Sequence, residues 1–257
     1  MLNVERCNGS MLIEVKWSAN VAERFPGLRV CIGEIRNVHN EKTNEQVRML
    51  SSIVYDEVKA RCSIETLKTD PTVRAYRDFY WKLDIDPTKT RPSGEALLRR
   101  VLHGDELPQI STVVDGYNLV SMKAIIPVSG FDYEKLDPPF QVRFAESTET
   151  FAGIGMSKPL ALKKNTLVLA DQNQILCIYP YRDSDHSKIT FQTRDALIVA
   201  YGSPGITENQ LMTTIETTLS YIKQTSQGEV TMMKSFSTNG SATTLTHHQT
   251  NGAKSTA

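Results

Sequence analysis

No stretch of this 257-residue sequence is apolar over the roughly 20 consecutive residues that a membrane-crossing helix needs. Charge of one sign is lacking as well. Lys plus Arg number 29, Asp plus Glu number 29, and the formal net charge is zero. That balance removes the bulk basic excess of a strong nucleic-acid binder and leaves only a local basic patch open. Cysteine is sparse: Cys7, Cys31, Cys62 and Cys177 form no Cys-x-x-Cys pair, and no histidine stands at metal-ligand spacing from them. The expectation is therefore no metal site, no disulfide framework and buried, reduced thiols. Neither G-x-x-x-x-G-K-[ST] nor G-x-S-x-G occurs, so phosphate-loop and nucleophile-elbow chemistry have no support. The lone Gly153-Ile154-Gly155 lacks a third glycine and reads as a loop or bulge. The first residues carry Glu5 and Arg6 without a leader-like apolar run, so the expectation is a cytoplasmic protein.

What is present is ordinary globular material: 40% apolar and 23% charged residues, enough for a sizeable core. Met11–Lys16 and Leu28–Ile35 read as strands, the second after the Phe25-Pro26-Gly27 turn. Val47, Leu50, Ile53, Val54 and Val58 recur at helical spacing, which predicts an amphipathic helix over 43–61. Pro71 opens a second helix through Tyr80, and Pro92-Ser93 opens a third, with Glu95 near its positive end. Residues 110–124 carry another apolar periodicity that Pro127 stops. The second half is richer in strands: Phe140–Ala145, a hairpin of Thr166–Ala170 and Ile175–Tyr179, and Ala196–Tyr201. A helix follows over Thr207–Lys223. From residue 225 to 257, Ser, Thr, Asn, Gly and Gln dominate, and the reading is a disordered polar tail. Strands and helices come in blocks, so the fold class is α+β: a large mixed β-sheet with flanking helices. Residues 1–224 read as one domain, with an N-terminal part over 1–84 and a core over 85–224.

Two polar segments stand out. In the first, Arg91 precedes a helix start at Ser93, and Asp115 and Asn118 lie three apart within an apolar run, on one face of a helix. Such residues also serve simply to satisfy buried backbone groups. The second, Tyr181–Lys188, packs Asp185, His186 and Ser187 into a loop between strands. That composition equally suits a solvated tip.

Together these segments resemble the editing domain of the phenylalanyl-tRNA synthetase beta subunit, the B3/B4 domain, and its stand-alone relatives. Val113, Val114, Asp115, Asn118, Pro127, Phe131 and Asp132 follow the family pattern, and Thr166–Asp171 resembles the family strand before its hairpin. The resemblance spans residues 85–205 and implies hydrolysis of misacylated aminoacyl-tRNA in trans, with the tRNA acceptor end as partner and no cofactor. Asp185 takes the position of the family's pocket glutamate, and Ser129 takes that of a histidine common in the synthetases; both are departures. On that basis Asp185, Asn118 and His186 are the expected catalytic residues. Arg91, Ser93, Asp115, Ser121 and Ser129 are the expected substrate-binding ones. Two rival readings remain: a non-catalytic RNA-binding module of the same fold, and a binder or hydrolase of a small amino-acid derivative.

Overall fold

The computed structural model describes residues 12–240 and the backbone of 242–244. The chain begins with β1 (Val15–Trp17), α1 (Ala19–Arg24) and β2 (Arg29–Arg36). A helical block follows: α2 (Glu45–Arg61), α3 (Ile64–Leu67), α4 (Pro71–Lys82), α5 (Ser93–Leu102) and α6 (Thr112–Ala124). Strands then dominate: β3 (Val128–Asp132), β4 (Phe140–Phe144), β5 (Thr150–Phe151), β6 (Leu160–Ala161), β7 (Leu167–Ala170), β8 (Ile175–Ile178), β9 (Arg182–Asp183) and β10 (Ala196–Tyr201). The described chain closes with α7 (Glu208–Ser226), β11 (Glu229–Ser237) and β12 (Ala242–Thr244).

The α+β class with a mixed sheet and flanking helices holds, but the strands divide between two five-stranded sheets. One runs β1-β4-β7-β8-β9 and is mixed, because β1 pairs parallel to β4. The other runs β12-β11-β2-β10-β3 and is antiparallel. The sheets face each other across a shared core. Val30, Ile32, Phe131, Val199 and Tyr201 come from the antiparallel sheet; Phe140, Val142, Leu169, Leu176 and Tyr179 come from the mixed one. Alternate residues of β2 and β10 point the other way. Cys31, Ile35, Ile198 and Ala200 meet Leu211, Ile215, Leu219 and Ile222 of α7 and Val113 and Tyr117 of α6. Both strands are therefore buried on both faces, which is why their sequences are continuously apolar rather than alternating. A further cluster joins α2, α5 and α6 through Leu50, Val54, Leu98, Val101, Leu119 and Met122.

Local chemistry sets the helix ends. Asn44, Asp70 and Ser111 accept hydrogen bonds from the first-turn amides of α2, α4 and α6, the usual role of such residues. Thr207 and Gln210 form a reciprocal capping box on α7. Thr214 and Thr218, buried in α7, return their hydroxyls to carbonyls one turn back at 2.7 Å, so the threonine-rich helix leaves them satisfied. α5 crosses α6 closely because of Gly94: a Cβ there would stand 2.7 Å from the Ser121 carbonyl oxygen.

The polar tail is the main correction to the sequence reading. Residues 225 and 226 complete α7, and Glu229–Ser237 form β11, paired along the whole of β2. Its small polar side chains are accommodated rather than excluded; the fully buried Ser235 hydroxyl accepts from Arg29 Nη1 at 3.0 Å. Backbone pairing and the burial of Met233 and Phe236 supply the order of this segment. Residues 245–257 lie outside the described residues, as does Met11 of the first expected strand.

Glu95 is fully buried and holds α4 to α5. Arg77 donates to both its oxygens at 2.9 and 2.5 Å, and Arg99 Nε donates at 2.6 Å. Burial pushes its pKa up, but the two arginines outweigh that and hold it below the usual 4.5. Its contribution is therefore present above about 4.5 and lost as pH falls through the lower folded value. Glu95→Ala would leave two guanidinium groups partly buried and unpaired. Urea unfolding should show a loss of about 3 kcal/mol at pH 7 that shrinks in acid.

Candidate active site

Asp183 and Ser129 meet where the edges of the two sheets come together. β8 and β9 pair so that Cys177 lies opposite Asp183. Cys177 faces the core between the sheets, and its cross-strand partner is directed to the same side. From β9 the chain crosses to the other sheet. Ser187 accepts from the Asp132 amide at 2.9 Å, and Lys188 makes a bridge with Phe131 of β3. On its other flank, Asp183 accepts at its backbone carbonyl from Ile154, and Asp185 donates its amide to Ala152. The segment 182–188 thus stitches β8, β3 and the 152–154 loop together, and the Asp183 carboxylate is placed by backbone on three sides.

The Ser129 hydroxyl donates to Asp183 Oδ1 at 2.6 Å. Burial pushes the Asp183 carboxyl from 3.8 up to about 6, against the opposing pull of the Ser129 hydrogen bond and the Arg182 charge. Arg182 does not neutralise it by contact: its Nη1 donates to the Ile154 carbonyl at 3.0 Å. Tyr201, on β10 beside β3, brings a buried hydroxyl that has no hydrogen-bond partner among the described residues. Burial raises its pKa most, followed by the Cys177 and Asp183 charges, and the Cys177 thiol and Ser129 hydroxyl lie within hydrogen-bonding reach of it. Tyr117 approaches from α6. A Cβ at Gly130 would stand 2.8 Å from its ring, so glycine lets the ring lie against β3. Burial, and then the Asp183 charge, push the Tyr117 phenol up. The result is a hydroxyl, a carboxyl with a near-neutral pKa and a phenolic donor in one apolar seam. Such a set can orient water, accept a proton and stabilise an oxyanion.

The residues expected from sequence are distributed over five places. Ser129 is in the seam. Asp185 and His186 lie exposed just beyond it; Asp185 pairs with Lys188 at 2.7 Å, and His186 borders an open depression with Glu134, Asp137 and Asn173. Asp115 and Asn118 do share one face of α6, but that face looks toward α2 and lines a different cavity. Ser121 is fully buried, its hydroxyl donating to the Ile126 carbonyl at 2.7 Å, which is a structural place inside the fold. Arg91 is exposed ahead of α5, and Ser93 is its first residue. Asp183 and Tyr201 were not singled out by the sequence. The signal was available in part: in a β8–β9 hairpin the core-facing Cys177 selects residue 183, not 185, as its partner. Reading it required recognising a two-residue strand inside a polar segment. Among the described residues no group of three or more His, Cys, Asp or Glu side chains is arranged to hold a metal. No described helix is long and apolar enough to cross a membrane.

Comparison with known proteins places these residues in a family. The model of the B3/4 domain matches residues 75–226, more than half of the chain and all of the seam. Among curated proteins, the phenylalanine–tRNA ligase beta subunit of Haemophilus ducreyi is 33% identical over 91 residues, 35% of this chain and 11% of that protein. The same subunit of Pseudomonas syringae pv. syringae is 28% identical over 158 residues, 62% of this chain and 19% of that protein. That of Aliivibrio fischeri is 27% identical over 188 residues, 72% of this chain and 22% of that protein. The chain thus spans between 11% and 22% of the length of these three subunits. Among solved structures, an N-terminal fragment of the phenylalanyl-tRNA synthetase beta subunit from Pyrococcus horikoshii superposes with a TM-score of 0.48 at 12% identity, covering 91% of this chain and 53% of that one.

The raised carboxyl gives a stability signature of definite sign. The folded protein holds the Asp183 proton more tightly than the unfolded chain, so stability falls as pH rises from about 3.8 to about 6. Across that window the wild type should lose up to about 3 kcal/mol relative to Asp183→Asn, measured by urea unfolding at a series of pH values. Parallel curves for the two proteins would mean that the carboxyl titrates normally.

Proposed function

The chain belongs to the B3/4 domain family, and from that premise we propose that it hydrolyses the ester bond of misacylated aminoacyl-tRNA in trans. The observation that carries the reading is the 2.6 Å hydrogen bond from Ser129 to a carboxyl whose pKa is raised to about 6, within the family-matched region. An aminoacyl ester is already activated, so the site needs to place water, accept one proton and meet the developing oxyanion, without a covalent nucleophile. Asp183, ionised above about pH 6, orients a water molecule and takes its proton as the oxygen attacks the ester carbonyl carbon. The Tyr201 hydroxyl, which has no other partner among the described residues, donates to the oxyanion. As the tetrahedral intermediate collapses, the carbon–oxygen bond to the terminal ribose breaks. The proton held by Asp183 then passes to the departing ribose oxygen. Ser129 fixes the carboxylate during these steps.

The exposed rim has a separate task. Asp185 and His186 stand where the amino group of the substrate would enter, with Asp185 as its acceptor once Lys188 is displaced. Arg91, exposed ahead of α5, is assigned to a phosphate of the acceptor end, which suits its planar guanidinium. The partner is the tRNA acceptor end, and the chemistry asks for no cofactor.

The test is incubation of the purified chain with a panel of correctly and wrongly charged tRNAs. One charged species should be lost rapidly, at a rate above the spontaneous background that rises with pH and levels above about 6. Asp183→Asn should slow the loss by about 10²-fold or more, the usual scale for a lost general base. Asp185→Ala should raise the substrate concentration needed and spare most of the maximal rate. An absence of deacylation across the panel, or an Asp183→Asn protein as fast as the wild type, would sink the proposal.

A further inference from the structure

A second cavity lies on the other side of α6, remote in orientation from the seam. Its volume is about 260 Å³, and it is enclosed by α2, the 106–109 segment and the outward face of α6. Cavities of about 150 Å³ already hold a benzene-sized molecule. Val47, Leu107 and Leu119 give apolar walls. At its inner end is Asp115, only 7% exposed. Its Oδ1 accepts from the Ile110 amide at 2.9 Å. Its Oδ2 is buried and has no hydrogen-bond partner among the described residues. The Ser111 amide also stands against the carboxylate as a backbone hydrogen-bond donor, and the Lys42 charge acts on it from further away. A buried carboxylate oxygen without a donor is costly, and a ligand that brings one recovers that cost.

The charges around the cavity choose the sign of the ligand. Asp115 and Glu106 both act on the Tyr55 phenol, which accepts from the Leu107 amide at 3.0 Å. Against these two carboxylates stands Arg48, exposed on α2, while Lys42 acts on Asp115 from the approach to that helix. The buried end carries Asp115, and among the described lining residues the cation is Arg48, at the exposed side, with Lys42 held outside on the Gln109 carbonyl. Tyr117 points to the seam, whereas Asp115, Asn118 and Leu119 point here, so the two sites use opposite faces of one helix.

We propose that this cavity binds a small organic cation: a primary ammonium head donated to Asp115 Oδ2, with a compact apolar body against Val47, Leu107 and Leu119. The Asn118 side chain, one turn further along α6, supplies a second polar contact for the head. The reading of the seam assigns no step to this site, so the two proposals stand or fall apart.

The experiment titrates the full chain with benzylammonium at pH 7.5 by isothermal calorimetry and by amide chemical shifts, with benzyl alcohol and benzoate as matched neutral and anionic probes. Benzylammonium should bind saturably, at least tenfold more tightly than benzyl alcohol, and move the amides of residues 47–55 and 106–119. Asp115→Asn, which keeps an acceptor for Ile110, should weaken it at least tenfold. Ser51→Leu, which fills the cavity from α2, should abolish it if the first variant folds poorly. Asp183→Asn should bind as the wild type does. Equal binding of benzyl alcohol, no saturable binding, or binding that survives both cavity variants would overturn the assignment.

Discussion

The bond from Ser129 to Asp183 crosses between two sheets whose shared core is largely apolar, with the Tyr179 hydroxyl, which donates to the Gly202 and Arg29 carbonyls, as another polar link. A carboxylate placed in such a seam loses hydration that a single hydroxyl does not fully restore. The fold leaves it there because the backbone of 182–188 is fixed independently, by pairing with β8, bridging to β3 and bonding to the 152–154 loop. Arg182, the nearest cation by sequence, spends its guanidinium on the Ile154 carbonyl instead. The carboxyl therefore stays close to neutral in its pKa, the condition for a group that must exchange a proton near physiological pH.

The other layers make that seam possible. β2 and β10 are buried on both faces, so the antiparallel sheet is a rigid wall between the inter-sheet core and the helices. α6 lies against that wall with Tyr117 turned toward the seam and its opposite face turned toward α2. Gly94 lets α5 approach the backbone at the end of α6, and Gly130 lets the Tyr117 ring of α6 lie against β3. The buried Glu95 between Arg77 and Arg99 then holds α4 to α5. One helix thus separates two polar sites, and a change on one of its faces need not disturb the other.

Much of this was legible in the sequence where periodicity or caps carried the signal. Helices α2, α4, α5 and α7 and strands β2, β4, β7, β8 and β10 follow from apolar spacing and turn residues. β11 was missed because its four large apolar residues, Val230, Met232, Met233 and Phe236, stand in a stretch whose overall composition is polar, and because its order comes from pairing with a strand about 200 positions earlier. Of the two residues joined across the seam, Ser129 was singled out in the sequence through the family resemblance, whereas Asp183 was not, because β9 has only two residues and leaves no period to read. Asp115 and Asn118 were correctly read as sharing a helix face. Which neighbour that face meets is a property of the tertiary packing, and it turns out to be α2. Ser121 looked like a polar group available to a ligand; the close approach of the chain after α6 gives its hydroxyl to Ile126 instead.

The most direct measurement is an NMR titration of the ¹³C-labelled protein with a non-hydrolysable 3′-aminoacylamido-3′-deoxyadenosine, a mimic of the charged tRNA end. The Asp183 carboxyl resonance and the Ser129 and Tyr201 signals should shift together and saturate at one ligand per chain. Saturable binding that leaves those three groups unmoved, or no binding by any aminoacyl form of the mimic, would contradict the assignment of the seam as the site of ester hydrolysis.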